Sequence, residues 1–212
     1  MKTIPLKLQL LAAVAFSLLI SFNEAAAQPP PIPTEQHTII LIASGGSMST
    51  VGPDGTTRFQ RAIQQAKNFV SLPLSIPQYF AVWTFEGSSY VKRQGFSAPA
   101  TTLATLNLLQ VGSGAYPLAY AVCDAADELL AYRSGTITAR KVLYLLTDGA
   151  ENSSPASTQC YGPSSVSDYP NLTPGSWQWK VRNKLATGNP NIPPTSGYPL
   201  VLLLDAWGGY IS

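Results

Sequence analysis

Two short stretches hold the side chains best suited to chemistry. Ser44-Gly45-Gly46-Ser47-Met48-Ser49 offers hydroxyls on a glycine-rich turn, and Thr147-Asp148-Gly149-Ala150-Glu151-Asn152 offers carboxylates beside a hydroxyl. Oxygens of these kinds can hold a hard cation. A serine can also act as a nucleophile when a base accompanies it. Each stretch ends a short, continuously apolar run, Thr38–Ala43 in one case and Val142–Leu146 in the other. Such runs are expected of strands buried on both faces of a parallel sheet. Ligands of parallel sheets sit in the crevice outside the carboxyl ends of the strands, so Ser47 and Asp148 are expected to share one rim.

A base for Ser47 is hard to find. The only histidine, His37, precedes the first strand and is expected at the opposite end of the sheet, as an exposed residue leading into it. A Ser–His–acid triad therefore lacks its central member. The segment Gly45–Ser49 resembles a nucleophile elbow only superficially, because Ser49 stands where that motif needs glycine. Gly112-Ser113-Gly114 could cradle an anion ahead of a helix, but it lacks the further glycine of a dinucleotide site and the lysine of a phosphate loop. A turn that requires glycine explains it as well.

The elements that must position these groups alternate between strand and helix. Arg58 to Ser71 reads as an amphipathic helix with Phe59, Ala62, Ile63, Ala66, Phe69 and Val70 on one face. Tyr79–Phe85 reads as a strand, Glu86-Gly87-Ser88 as a tight turn, and Tyr90–Arg93 as a short antiparallel partner. Ala98–Gln110 reads as a mixed loop with a helical turn. Tyr116–Tyr132 reads as a second long helix, with Asp124, Asp127 and Glu128 on its solvated side. The long connection Gly149–Tyr198 contains one helix, with Ser176 as N-cap and Gly188 beyond its end. Of Trp177 and Trp179, at least one is expected to pack on the sheet. Leu200–Leu204 reads as a final buried strand, and the segment Trp207–Ser212 after it is short. This order specifies an α/β fold of βαβ units.

Residues 1–27 read as a signal peptide: Lys2 and Lys7, an apolar run from Leu8 to Phe22, then Ala25-Ala26-Ala27. A retained membrane anchor is the alternative. Residues 28–36 form a Pro-rich leader, and residues 37–212 the domain. Without Lys2, Lys7 and Glu24 the chain has 11 basic and 10 acidic residues and no basic block, so neither nucleic acid nor an anionic membrane is indicated as a partner. Export to a secreted or periplasmic location favours a disulfide between Cys123 and Cys160 over two unpaired thiols, one of them buried. Asn152-Ser153-Ser154 and Asn171-Leu172-Thr173 are glycosylation sequons, relevant only where exported proteins are glycosylated.

The succession strand–SGGSMS, helix, strand–hairpin, Gly-rich turn–helix, strand–LTDG resembles the von Willebrand factor type A (VWA) domain over roughly Thr38 to Ala206. The resemblance implies a three-layer, Rossmann-like VWA fold: a mainly parallel central sheet with one antiparallel edge strand and helices on both faces, here apparently truncated at its C-terminus. It also implies a metal-ion-dependent adhesion site of the form Asp-x-Ser-x-Ser, Thr and Asp on three loops. Aligning on Ser47-Met48 puts Ala43 at the aspartate, Gly45 at the first serine, Ser47 at the second and Tyr116 at the threonine. A shift of two residues places Ser47 and Ser49 at the serines but Gly45 at the aspartate. Only Ser47 and Asp148 remain as metal ligands, and a cation held so sparsely would bind weakly. Glu151, Asp205 or Asp124 could compensate only by reaching the same point.

The expectation is therefore a secreted or periplasmic adhesion module with a degenerate metal site. It would recognise a protein or surface ligand through Ser47, Ser49, Tyr116 and Asp148, with no cofactor, or at most weak Mg²⁺ or another divalent cation. The alternatives are an exported serine hydrolase using Ser47, or a structural envelope protein that assembles through its last strand.

Overall fold

The computed structural model describes residues 32–149, 151–193 and 200–206. The signal-peptide and anchor readings, most of the leader, Ala150, Tyr198 and Trp207–Ser212 lie outside the described residues.

Among these residues five strands form one sheet: β1 (Glu35–Ala43), β2 (Gln78–Glu86), β3 (Ser89–Ser97), β4 (Ala139–Thr147) and β5 (Val201–Ala206). Their order is β3-β2-β1-β4-β5. β1 lies at the centre, parallel to β2 on one side and to β4 on the other, with Ile40 opposite both Val82 and Tyr144. Ile39, Ile40, Leu41, Ile42 and Ala43 have no exposed surface, which is why the run shows no alternation. β5 continues the sheet in parallel beyond β4. β3 returns antiparallel to β2 through Gly87-Ser88, where Gly87 has φ 66°. This is the mixed α/β, three-layer VWA-like arrangement.

Among the described residues, four helices flank the sheet: α1 (Arg58–Val70), α2 (Pro99–Leu108), α3 (Leu118–Ala131) and α4 (Trp177–Thr187). α1 packs with α2 and α3 with α4. Ring contacts show how they divide: Phe69 of α1 meets Phe80 and Tyr144, whereas Tyr120 of α3 meets Tyr90, which stacks on Trp83. Phe80 and Trp83 point to opposite faces of β2, since successive side chains alternate. α1 starts from a capping box, Thr57 Oγ1 accepting from Gln60 N while Gln60 Oε1 accepts from Thr57 N. α4 begins at Ser176, whose hydroxyl accepts from Trp179 N, and ends at Gly188 in the left-handed region at φ 73°. Trp177 is the tryptophan of that pair that is buried.

Three readings need correction. The final strand is not buried: β5 lies at the sheet edge with Val201, Leu202 and Leu204 exposed. Ala98–Gln110 is not a mixed loop: Pro99 opens a ten-residue helix that buries Thr102 and Leu106. His37 is not exposed: it lies inside β1, fully buried among Tyr79, Phe96 and Tyr132. Three elements distant in sequence cover it, and Glu35 and Lys141 bond to its two ring nitrogens.

A disulfide joins Cys123 of α3 to Cys160 in the connection after β4. Asp127 and Glu128 form ion pairs with Lys184 and Lys92, and Asp124 accepts from Tyr90 Oη, so that side of α3 is bonded to neighbouring elements. Among the described residues no helix is long and apolar enough to cross a membrane.

Candidate functional site

At the carboxyl ends of β1 and β4, two loops converge. The chain leaves β1 in a 3₁₀ turn, Gly46–Ser49, whose Met48 is fully buried and fixes the turn. This leaves Ser47 at the surface, its Oγ 3.0 Å from Asp148 Oδ1 and 2.5 Å from the phenol oxygen of Tyr116. A serine hydroxyl has one proton, and here it goes to Asp148. Tyr116 must therefore donate to Ser47. Burial pushes the Tyr116 phenol up to about 12, and the nearby Asp148 charge adds to this. Tyr116 thus remains a proton donor at neutral pH.

The second oxygen of Asp148 meets a residue that sequence reasoning missed. Arg58, the first residue of α1, donates from Nη1 to Asp148 Oδ2 at 2.8 Å. The Asp148 side chain is wholly shielded from solvent, whereas that of Arg58 is 27% exposed. A cation in the first turn of a helix opposes the helix dipole. With no acidic residue in that turn, this was the one signal in the sequence that Arg58 answers a charge elsewhere.

Tyr116 fills the space between the two loops. A Cβ at Gly45 would lie 2.7 Å from its Cε1, and one at Gly149 would lie 2.8 Å from its Cδ2 and Cε2. Gly45 has φ −75° and ψ 178°, a conformation open to any residue, so packing alone requires glycine there. Tyr116 is also held by its backbone, which donates to Asn152 Oδ1 and accepts from Asn152 N.

The neighbouring anion sites are occupied by the chain itself. The Gly112–Gly114 cradle receives the Glu86 carboxylate: Oε2 accepts from Ser113 N at 3.0 Å, and a Cβ at Gly112 would fall 1.8 Å from it. Glu151 caps α3 by accepting from Ala119 N at 2.6 Å, and also accepts from Ser153 N and Ser154 N. Glu151 therefore does not compensate for the missing aspartate. Neither does Asp124, bonded to Tyr90 and Gln159, nor Asp205, bonded to Tyr144. Ser49 turns its hydroxyl onto Gly46 O at 2.6 Å and stands apart from the Ser47–Tyr116–Asp148 group.

Both oxygens of Asp148 are engaged by donors, and the Ser47 oxygen accepts from Tyr116. A divalent ion placed about 5 Å from the Arg58 guanidinium would meet a repulsion of about 7 kcal/mol at an effective dielectric near 20. Among the described residues no group of three or more His, Cys, Asp or Glu gathers to oppose that. The residues present do not fit a divalent cation. Asp148, which accepts the Ser47 proton, is also paired with Arg58, and His37 lies some seven residues back from the end of a strand that rises about 3.3 Å per residue.

No family model matches the chain, and no curated protein does. Solved structures similar to it include the conserved hypothetical protein BatB from Bacteroides thetaiotaomicron, at 13% identity and TM-score 0.42, covering 53% of each chain. The PilB minor pilin from Streptococcus sanguinis is 17% identical at TM-score 0.47, covering 57% of this chain and 31% of that one. Proximal thread matrix protein 1 from the mussel byssus, with a zinc-occupied metal-ion-dependent adhesion motif, is 16% identical at TM-score 0.44, covering 60% of this chain and 31% of that one. The chain thus spans about half or less of the length of these structures. At such overlaps none of them bears on what this chain binds.

Proposed function

We propose that this chain is an exported binding module that recognises a protein or surface ligand through the loops at the carboxyl end of its sheet, without a metal ion. Its recognition face comprises Ser47, Ser49, Tyr116, Asp148 and the neighbouring part of the connection after β4. One observation carries the reading: Tyr116, Ser47, Asp148 and Arg58 form a continuous hydrogen-bonded chain that ties the loops of this rim together. Loops fixed in advance lose little entropy on binding, which suits recognition. Export follows from the reading of residues 1–27 as a signal peptide.

The test is affinity capture with the purified domain on surface and matrix extracts, comparing wild type with Ser47→Ala, Ser49→Arg and, at the far end of the sheet, Arg140→Ala. Capture that both rim variants weaken and Arg140→Ala leaves intact supports the proposal. Equal capture by all four proteins refutes it. The alternative, a serine hydrolase, draws on the Ser47–Asp148 bond. Fluorophosphonate labelling that vanishes in Ser47→Ala would favour it. A structural envelope role draws on β5, where Val201, Leu202 and Leu204 are exposed, and concentration-dependent assembly on size exclusion would favour that.

A further inference from the structure

We infer that Arg58 is the built-in counter-cation of this rim, and that removing its side chain leaves a socket at Asp148 that accepts a small external cation. The Asp148 side chain is completely buried, and a buried carboxylate left without a partner is strongly unfavourable. Among its described contacts Arg58 is the sole charged one. Arg58 is held there by its backbone too, since its N donates to Thr50 O at 3.0 Å, tying the start of α1 to the end of the Ser47 turn. Its guanidinium is planar and permanently charged, so the neutralisation does not depend on pH or metal supply. The crevice is closed on its other side by the Tyr116 ring between Gly45 and Gly149. The cationic function that an ion would supply from solution is thus encoded in the chain, and the intact rim is indifferent to chelators. When Arg58 is shortened, the vacated volume and the uncompensated Asp148 charge together select a compact cation, guanidinium first and a divalent ion second.

This inference needs no partner, and its readout is stability, so it stands or falls separately from the proposed binding role. Thermal midpoints of the whole chain are measured for wild type, Arg58→Ala, Arg58→Lys, and Arg58→Ala combined with Asp148→Asn. Each is measured in EDTA, in millimolar Mg²⁺ or Mn²⁺, in 20 mM guanidinium chloride and in 20 mM NaCl. Wild type keeps its midpoint within about 1 °C across all four. Arg58→Ala falls by about 5–10 °C, allowing for the partial exposure of the arginine. Guanidinium, but not NaCl, restores part of that loss. Adding Asp148→Asn also restores part of it and abolishes the guanidinium effect. Should Arg58→Ala fail to fold, Arg58→Lys carries the test: it keeps a charge but not the fork, so a smaller loss is expected, again without chelator sensitivity. A wild-type midpoint that falls in EDTA or rises with Mn²⁺ overturns the inference. So does a double variant less stable than Arg58→Ala alone.

Discussion

Replacing Gly149 by alanine tests the packing of the rim with a single methyl group. The new Cβ would lie 2.8 Å from both Cδ2 and Cε2 of Tyr116, the nearest atoms it meets outside its own chain neighbours. Carbon atoms in good contact lie about 3.5–4.0 Å apart, so the ring must retreat by most of an ångström. The ring cannot do so freely, because its other edge faces Gly45 and its hydroxyl is bonded to Ser47. Overpacking of this kind costs about 1–3 kcal/mol. For a domain of this size that lowers the thermal midpoint by about 2–10 °C. The decisive measurement is a double-mutant cycle by urea denaturation. Tyr116→Ala alone should cost about 3–5 kcal/mol, as other aromatic truncations in cores do. In that background Gly149→Ala should cost less than about 0.5 kcal/mol, because its only obstacle is gone. Gly45→Ala should remain costly there, since its Cβ would also lie 2.3 Å from the Gly114 carbonyl oxygen, which is backbone. If Gly149→Ala costs the same with and without the tyrosine ring, the account of the glycines as a slot for Tyr116 is wrong.

Three further outcomes concern Tyr116, His37 and the disulfide. Tyr116 ionises at about 12 in the folded chain and near 10 when unfolded, so its contribution to stability is complete below pH 10 and lost as pH rises through that interval; ultraviolet difference titration of wild type against Tyr116→Phe should diverge only above about pH 11. Burial holds His37 below its ordinary value, with the Lys141 and Arg133 charges adding to this and the Glu35 bond opposing it. The unfolded chain then binds the extra proton, so stability should fall as pH drops through about 6.5, and His37→Gln should flatten that slope in urea midpoints between pH 7 and 5. Replacing Cys123 and Cys160 together by alanine releases a closure of 37 residues and should cost about 4 kcal/mol in the chain-entropy account, read as a lower urea midpoint; an unchanged midpoint would show that the crosslink adds nothing to the fold.

The convergence of Ser47 and Asp148 was legible because it needs only two adjacent parallel strands, and both announce themselves as apolar runs without alternation. The ends of α4 were legible for a local reason: Ser176 and Gly188 act on backbone groups within a few residues. α2 was missed although Pro99 at its first position is a helix-start signal, because threonines and leucines follow without a clear apolar face. Glu86 was invisible as a site residue and Arg58 was marked only by its unfavourable place at a helix N-terminus, since each reads correctly as part of its own helix or turn. What they bind, Asp148 and the amides near Gly114, lies 90 and 28 residues away. The cover over His37 is of the same kind. Local patterns fixed where each side chain starts, whereas the partner of a long charged side chain depends on the assembled sheet.

The bonds at the rim join four separate crossings of the chain. The turn after β1 is tied to α1 and to the segment before α3, the β2–β3 turn to that same segment, and the exit of β4 to all of these through Asp148, Asn152 and Ser153. A structure knotted in this way has no inexpensive partial opening, because freeing any one crossing strands donors and acceptors on the others. Amide exchange in the four turns should therefore share a single free energy of opening. The region would behave as one cooperative latch.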